Sequence, residues 1–291
     1  MRLIVSLVLV LVLAGCGGVR HAAAPRVTTT VAKKQPPAAP RLRVGIVGPV
    51  SAAVPGISVE RGTLAQTAAA QLVLVAAQSV PLQQLAAFAR GHRQTHFAYV
   101  GGRTAGDRSP NLVGLALRDD QAAQLAGVVA GLVATANGAQ ARVAWVGPEE
   151  RKLAAAFAHG LSSAAPHALL LRQWSRKLPS RCKEAALTAI SRGAVIVMAH
   201  EDGCADAAIA AAHQQNIPGL RLDQFELPDV AAEFVVRDAI GGVFRGNEDL
   251  TFGAASGAIG VRRLDPRIPA ATAVRARAAA QQLASGIAPT G

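Results

Sequence analysis

Three short polar segments follow apolar stretches with the pattern of β-strands, and they carry the side chains best suited to ligand chemistry. The first is His200-Glu201-Asp202, directly after the apolar run 195–199. An imidazole and two carboxylates suit a metal ion or a polar ligand, and loops at strand ends often hold functional residues. Adjacent residues point in different directions, however, and no other His or Cys cluster completes a metal shell. We therefore predict no metal site: the three residues either contact a ligand or form a polar loop in which Asp202 caps the next helix.

The other two segments contain Trp174 and the residues around Arg221. Trp174 follows the run 168–172 and either forms the floor of a ligand cleft or packs on the adjacent helix. Arg221 either attracts an anionic ligand or forms a salt bridge, while Asp223 and Gln224 would supply polar groups at the mouth of a cleft. No G-x-S-x-G, H-E-x-x-H or P-loop pattern is present. We therefore predict a protein that is not an enzyme and that needs no cofactor.

Two of the three cysteines, Cys182 and Cys204, lie at the starts of consecutive predicted helices with one predicted strand between them. In a right-handed strand–helix–strand series, such helices start at the same edge of the sheet. If they also share a face, their first residues can reach the Cα separation of ~4.4–6.8 Å that a disulfide needs. We predict a Cys182–Cys204 disulfide; the alternative is two buried free thiols.

The third cysteine, Cys16, ends an N-terminal pattern typical of secretion. One arginine precedes the apolar run 3–13, which is too short to span a bilayer of ~30 Å. Leu13-Ala14-Gly15-Cys16 resembles a bacterial lipobox, which implies a signal peptide over 1–15, a lipid-modified Cys16 and an extracytoplasmic, membrane-anchored protein. The alternative is an ordinary secreted protein with a chance cysteine. Residues 16–40, rich in Pro, Gly and Thr, have the composition of a flexible tether.

The composition excludes several classes of protein. The 291 residues are 51% hydrophobic, which excludes a wholly disordered chain, and three cysteines cannot form a disulfide-rich scaffold. The formal net charge of +12 makes nucleic acid a conceivable partner. The arginines are nevertheless spread singly, with no zinc-finger spacing, basic helix or aromatic-studded basic stripe. We predict no nucleic-acid partner; the charge indicates a solvated basic surface or one that faces anionic lipid or cell wall.

From residue 41 onward, short β-branched or Leu-rich runs alternate with longer Ala-rich stretches of helical period, which predicts an α/β fold with mostly parallel sheets. Eight or more strands in this length favour two lobes, with ligands bound in the cleft beyond the carboxyl ends of the strands. The predicted strands are 42–47, 72–76, 96–100, 112–115, 141–146, 168–172, 195–198 and 220–222, with two more within 250–261. The predicted helices are 82–90, 119–136, 149–164, 180–192, 204–216, 228–244 and 270–284.

An ordered series of motifs over residues 97–224 resembles the basic membrane protein family, which comprises substrate-binding lipoproteins of ABC importers and includes purine-nucleoside receptors. The matching segments are Phe97-Ala98-Tyr99-Val100-Gly101-Gly102, Asn111-Leu112-Val113-Gly114, Arg118-Asp119-Asp120-Gln121, Leu125-Ala126-Gly127, Arg142-Val143-Ala144-Trp145-Val146-Gly147, Phe157-Ala158-His159-Gly160, Gln173-Trp174-Ser175, Glu184-Ala185-Ala186, Gly193-Ala194-Val195-Ile196 and Gly219-Leu220-Arg221-Leu222-Asp223-Gln224.

The resemblance implies a type I periplasmic-binding-protein-like fold of two Rossmann-like lobes joined by three crossings. Lobe one would comprise 41–138 plus 223–247, and lobe two 139–222 plus 248–289. A small-molecule ligand would lie between the lobes, and lobe closure would signal to an ABC permease in the membrane.

The sequence departs from the family in the first lobe. Family members carry an Asp-x-x-Phe-Asn motif after the first strand, but residues 49–71 contain no Asp, Phe or Asn and are too short by about one strand–helix unit. Gly101 and Arg221 stand where the family has Asp. Losing such hydrogen-bonding groups costs ~1.5–3 kcal/mol each, so we expect altered specificity and no tight purine-nucleoside binding. The alternative is a degenerate member that acts as a cell-surface sensor or scaffold without tight ligand binding.

Overall fold

The computed structural model describes residues 41–107, 109–138, 140–175, 178–200 and 202–287. Residues 41–291 form one compact unit, and residues 1–40, which include Cys16, lie outside the described part. Glu201 also lies outside it, as does the side chain of Asp202. None of the helices in the described ranges is long and apolar enough to cross a membrane.

The first sheet has six parallel strands in the order β10-β5-β4-β3-β1-β2. Its inner strands are continuous apolar runs that are buried on both faces, as expected of a parallel sheet covered by helices. The bounds are β1 Leu42–Val47, β2 Ile57–Arg61, β3 Leu72–Ala76, β4 His96–Val100, β5 Leu112–Leu117 and β10 Asp249–Phe252.

The second sheet has four parallel strands in the order β7-β6-β8-β9, so that β7 is the outer strand on one side. The central strands β6 and β8 are buried, whereas β7 is largely half-buried or exposed. The bounds are β6 Arg142–Gly147, β7 Leu169–Trp174, β8 Ala194–Ala199 and β9 Gly219–Arg221.

The helices cover both faces of each sheet. In the first lobe, α1 and α2 lie over one face and α7 over the other. In the second lobe, α5 and α6 cover one face, and α3 and α4 the other. The bounds are α1 Leu64–Thr67, α2 Leu82–Gly91, α3 Asp119–Ala136, α4 Arg151–Ala164, α5 Pro179–Ser191, α6 Asp202–Gln214, α7 Pro228–Ile240 and α8 Ala270–Ala284.

The structure corrects the predicted lobe boundaries at two elements. Helix α3, assigned to lobe one through residue 138, packs on α4, β6 and β8 of the second lobe. The contact with α4 is close because Gly127 faces the carbonyl of Phe157 and Gly160 faces the carbonyl of Gln124, leaving no room for a Cβ atom. Strand β10, assigned to lobe two within 248–289, instead pairs with β5 in the first sheet. Local sequence patterns define helices and strands but carry no information on which sheet they join.

The sequence predicted that about one strand–helix unit is missing between β1 and β3. In the structure a strand, β2, is present in this segment, but no helix lies between β1 and β2. These two parallel neighbours are joined directly by the loop 48–56. Parallel neighbours are usually joined by a crossover helix. The loop is held instead by α7, because Asp229 accepts the Ser51 N–H at 2.8 Å and Glu233 accepts the Ala53 N–H at 3.3 Å.

One of the two strands predicted within 250–261 is β10. The other is absent from this stretch as an extended strand; a short 3₁₀ turn, Ala254–Ser256, and an isolated bridge between Ile259 and Glu226 take its place.

Candidate functional site

The carboxyl ends of the strands in both sheets converge on a cleft between the lobes. The cleft contains two adjoining hollows of about 160 Å³ each, and Gln78 and Glu226 line both of them. Gln78 follows β3, and Glu226 lies on the crossing between β9 and α7. The first-lobe hollow is otherwise lined by residues at the ends of β1, β3, β4 and β5, including Val50, Gly101 and Leu117. The second-lobe hollow adds Ala199, His200, Ala205, Arg221, Leu222 and Asp223.

His200 forms part of the second-lobe wall of the cleft. Its side chain is buried against the indole of Trp145, with ring centroids 4.9 Å apart, and its backbone N–H extends the sheet by donating to the carbonyl of Val146. Helix α6 begins at Asp202, so Asp202 is the first residue of the helix, whereas the capping interpretation placed it directly before the helix. Within the described ranges, no group of three or more His, Cys, Asp or Glu side chains could hold a metal ion.

The guanidinium of Arg221 is engaged by two carboxylates. Its Nε and Nη2 donate to Asp223, each at 3.0 Å, and its Nη1 donates to Asp206. The side-chain amide oxygen of Gln224 accepts the backbone N–H of Arg221 at 3.1 Å. Two negative charges on one positive charge leave this corner of the cleft without a net positive charge. Of the two roles that the sequence allowed for Arg221, anion binding or a salt bridge, the geometry is that of the salt bridge.

A third hollow of about 400 Å³ lies on the other side of the β9 crossing, where Arg221, Asp223 and Gln224 also contribute to the lining. Its buried anchor is Asp265, whose carboxylate accepts the Gly219 N–H at 2.8 Å and contacts His213 Nε2 at 2.7 Å. Burial by itself would raise the pKa of Asp265, but the N–H donors of Arg267 and Gly219, together with His213, outweigh burial and lower this pKa. Asp265 thus fastens the 262–268 loop to the second lobe.

Trp174 is not brought into the cleft. It stands at the end of the outer strand β7 with 41% of its surface exposed, and it separates two open hollows on the rim of the second lobe. Because β7 lies at the far edge of the sheet from β9, Trp174 is remote from the crossings where Arg221, Asp223 and Gln224 gather.

The predicted disulfide between Cys182 and Cys204 is confirmed, with a Cα–Cα distance of 5.3 Å. It joins the first turns of α5 and α6, as the shared-edge argument requires. Ser175, which follows β7, places its hydroxyl 2.9 Å from the sulfur of Cys182. The bridge therefore ties together the second-lobe segments that follow β7 and β8.

Sequence reasoning missed Gln78 and Glu226, the two residues common to both cleft hollows. The signal was available for Gln78, which is the first strongly polar side chain after the buried strand β3. Glu226 could be placed only after the crossing between β9 and α7 had been located.

Comparison with known proteins identifies the fold. No protein family profile matches the sequence, and no curated protein matches it. Among solved structures, a solute-binding protein of an ABC transporter system from Conexibacter woesei superposes with a TM-score of 0.60 at 18% identity, covering 84% of this chain and 97% of that one. A second such protein, from Aeropyrum pernix, gives a TM-score of 0.52 at 15% identity, with 86% and 82% of the chains covered.

A transcriptional activator of the comK gene from Bacillus halodurans also superposes, with a TM-score of 0.60 at 12% identity over 85% of this chain and 99% of that one. The same architecture thus occurs in proteins with different described roles. The likenesses establish the fold class: two α/β lobes with mostly parallel sheets, of the type I periplasmic-binding-protein-like kind.

Proposed function

We propose that this chain is a solute-binding protein of an ABC-type importer, anchored by a lipid at Cys16 on the extracytoplasmic face of the membrane. The observation that carries the proposal is the cleft in which Gln78 and Glu226 of two different segments line both hollows between the lobes. Open α/β sheets bind ligands at this edge. The lipobox-like Cys16 and the fold shared with ABC solute-binding proteins support the same role.

The ordered motifs over 97–224 support descent from the basic membrane protein family, with a changed ligand. The loop 48–56 replaces the helix that would carry the first-lobe motif, and Arg221 is neutralised by its own carboxylates. We therefore infer that the solute is not a purine nucleoside.

The experiment is a thermal-shift screen against nucleosides, sugars, amino acids, amines and anionic metabolites, followed by calorimetric titration. A ligand present at 100 times its Kd should stabilise the folded state by about 2.7 kcal/mol. Gln78→Ala should abolish or weaken the shift because Gln78 lines both cleft hollows. Gln282→Ala on the distant helix α8 is the matched control and should leave the shift unchanged.

Two results would contradict the proposal. One is a micromolar isotherm with adenosine, guanosine or inosine, which would refute the changed specificity. The other is a stabilising ligand whose effect is the same in wild type and Gln78→Ala, which would place binding outside the cleft.

A second candidate, a surface sensor or scaffold without tight ligand binding, is favoured by one specific observation. One apolar core includes residues of the first-lobe sheet, Phe225 on the crossing after β9, Phe252 at the end of β10, and residues of the second lobe. Such a core resists hinge motion, and the cleft hollows are small for most metabolites. This candidate predicts that no compound of the screen shifts the unfolding transition and that none changes the radius of gyration measured by X-ray scattering.

A further inference from the structure

The rim of the second lobe around Trp174 presents exposed apolar and basic side chains together. Trp174, the last residue of β7, and Leu178, directly before α5, are 41% and 54% exposed and line one hollow. Leu178 and Arg181 share one hollow with Trp174, and Arg151 and Arg172 share the hollow on its other side. We call these five residues the Trp174 rim.

The sequence that carries this rim is rich in basic residues. Residues 172–183 contain five basic and no acidic side chains, in the order Arg172, Arg176, Lys177, Arg181 and Lys183. Two of the rim arginines are paired with exposed carboxylates, Arg151 with Glu149 and Arg181 with Glu184. Within the described part of the chain, no carboxylate lies within ion-pair distance of Arg172. The arginines are therefore not all spread singly along the chain, because this basic segment also contains the aromatic residue Trp174.

One helix beside the rim has an unfavourable charge at its start. Helix α5 has basic and no acidic residues in its first turn and has no side-chain cap, whereas α4 is directly preceded by Glu149 and Glu150. The partial positive charge of a helix N-terminus disfavours cations there. The N-terminus of α5 lies at the carboxyl edge of the sheet, so its positive end adds to the charge of Arg181. Such a conflict between sequence and local structure is typical of a functional surface.

We propose that the Trp174 rim docks on a membrane surface that contains anionic phospholipid. Indole and leucine side chains together favour the boundary between headgroups and acyl chains, and guanidinium groups bind phosphate through paired hydrogen bonds. A nucleic acid or an acidic protein would match the charge but would leave Leu178 without a comparable apolar environment. The proposal does not depend on the importer function or on the solute.

The test uses the chain from residue 16 with Cys16→Ser, so that neither the apolar leader nor an acyl chain contributes. Residues 41–291 form a compact unit by themselves. The probe is phosphatidylcholine vesicles with and without phosphatidylglycerol, and the readout is tryptophan emission. Trp145 is fully buried, so an emission shift reports on Trp174. We expect a blue shift only with phosphatidylglycerol, and we expect it to be reversed by salt.

Arg172→Gln/Arg181→Gln should weaken vesicle binding by about thirtyfold, since each basic residue near an anionic surface contributes about 1 kcal/mol. Arg275→Gln/Arg277→Gln makes the same charge change on exposed positions of α8 and should leave binding nearly unchanged. Circular dichroism verifies that both variants are folded.

Three outcomes would overturn the proposal. They are no blue shift with phosphatidylglycerol vesicles, equal weakening by the two arginine pairs, and an equally salt-sensitive blue shift with a single-stranded oligonucleotide but not with vesicles. The second would show that net charge alone drives adsorption, and the third would assign the rim to nucleic acid.

Discussion

The Cys182–Cys204 bridge should be a principal source of stability in the second lobe. Its sequence separation of 22 gives a loop-closure contribution of about 3.4 kcal/mol through the reduced entropy of the unfolded chain. Both side chains are almost fully buried, in a core formed by α5, α6, β6 and β8. Cys182→Ala/Cys204→Ala therefore loses the cross-link and also the packing of two sulfur atoms.

Urea denaturation, followed by the emission of the buried Trp145, measures the effect. Reducing the wild-type protein isolates the cross-link, because the thiols keep the volume of the sulfur atoms. We expect reduction to lower the free energy of unfolding by about 3 kcal/mol, and we expect the alanine pair to lower it further. In hydrogen exchange, α5 and α6 should lose protection before the strands of the first sheet.

A fall of less than about 1 kcal/mol on reduction would refute the reasoning, because loop closure would then not limit the unfolded chain. Equal loss of protection in both lobes would refute the assignment of the effect to the second lobe. Non-reducing peptide mapping of the native protein provides the chemical control, since two freely alkylated cysteines would contradict the bridge itself.

Three further predictions concern the anchor, the helix contact and the buried carboxylate. Cys16→Ser should move the protein from the membrane fraction to the soluble fraction; unchanged fractionation, with an unmodified native N-terminus, would contradict the anchor. Gly160→Ala should destabilise the fold by about 1–3 kcal/mol in urea, because its Cβ would meet the carbonyl of Gln124, whereas Gly91→Ala, with open space around it, should not. Asp265→Asn should lower the free energy of unfolding most at pH values above the ordinary carboxyl pKa. Its difference from wild type should shrink as the pH falls through the lowered pKa of Asp265, and a pH-independent difference in urea unfolding would contradict this.

The sequence predicts best those elements that have a clear apolar run or helical period. Strands β3 and β4 and helices α3 and α8 occur with the predicted bounds, because their apolar runs or helical periods end abruptly. Strand β2 escaped prediction because an edge strand with the sequence Ile-Ser-Val-Glu-Arg is almost entirely exposed and needs no apolar alternation. The disulfide was predictable because helix starts in a parallel series share an edge.

The candidate site was predicted less well, since it depends on long-range packing. His200, Arg221 and Asp223, which follow strands β8 and β9, line the cleft, whereas Trp174 at the end of β7 lies on the outer rim. The difference is strand order: β8 and β9 lie next to the crossings, whereas β7 is the outer strand. No local feature of the sequence encodes that order.

The cleft and the Trp174 rim differ in charge, and this difference predicts which class of solute each should bind. Beside the cleft, Asp206 and Asp223 outnumber the guanidinium of Arg221 with which they pair. The basic surplus lies instead at the Trp174 rim. Carboxylates accept hydrogen bonds and repel anions, so the cleft should bind solutes with hydroxyl or amine groups in preference to phosphorylated ones. A phosphorylated compound that stabilises the protein should therefore act at the rim. Its effect should disappear in Arg172→Gln/Arg181→Gln and persist in Gln78→Ala, and the opposite pattern would refute this division of charge.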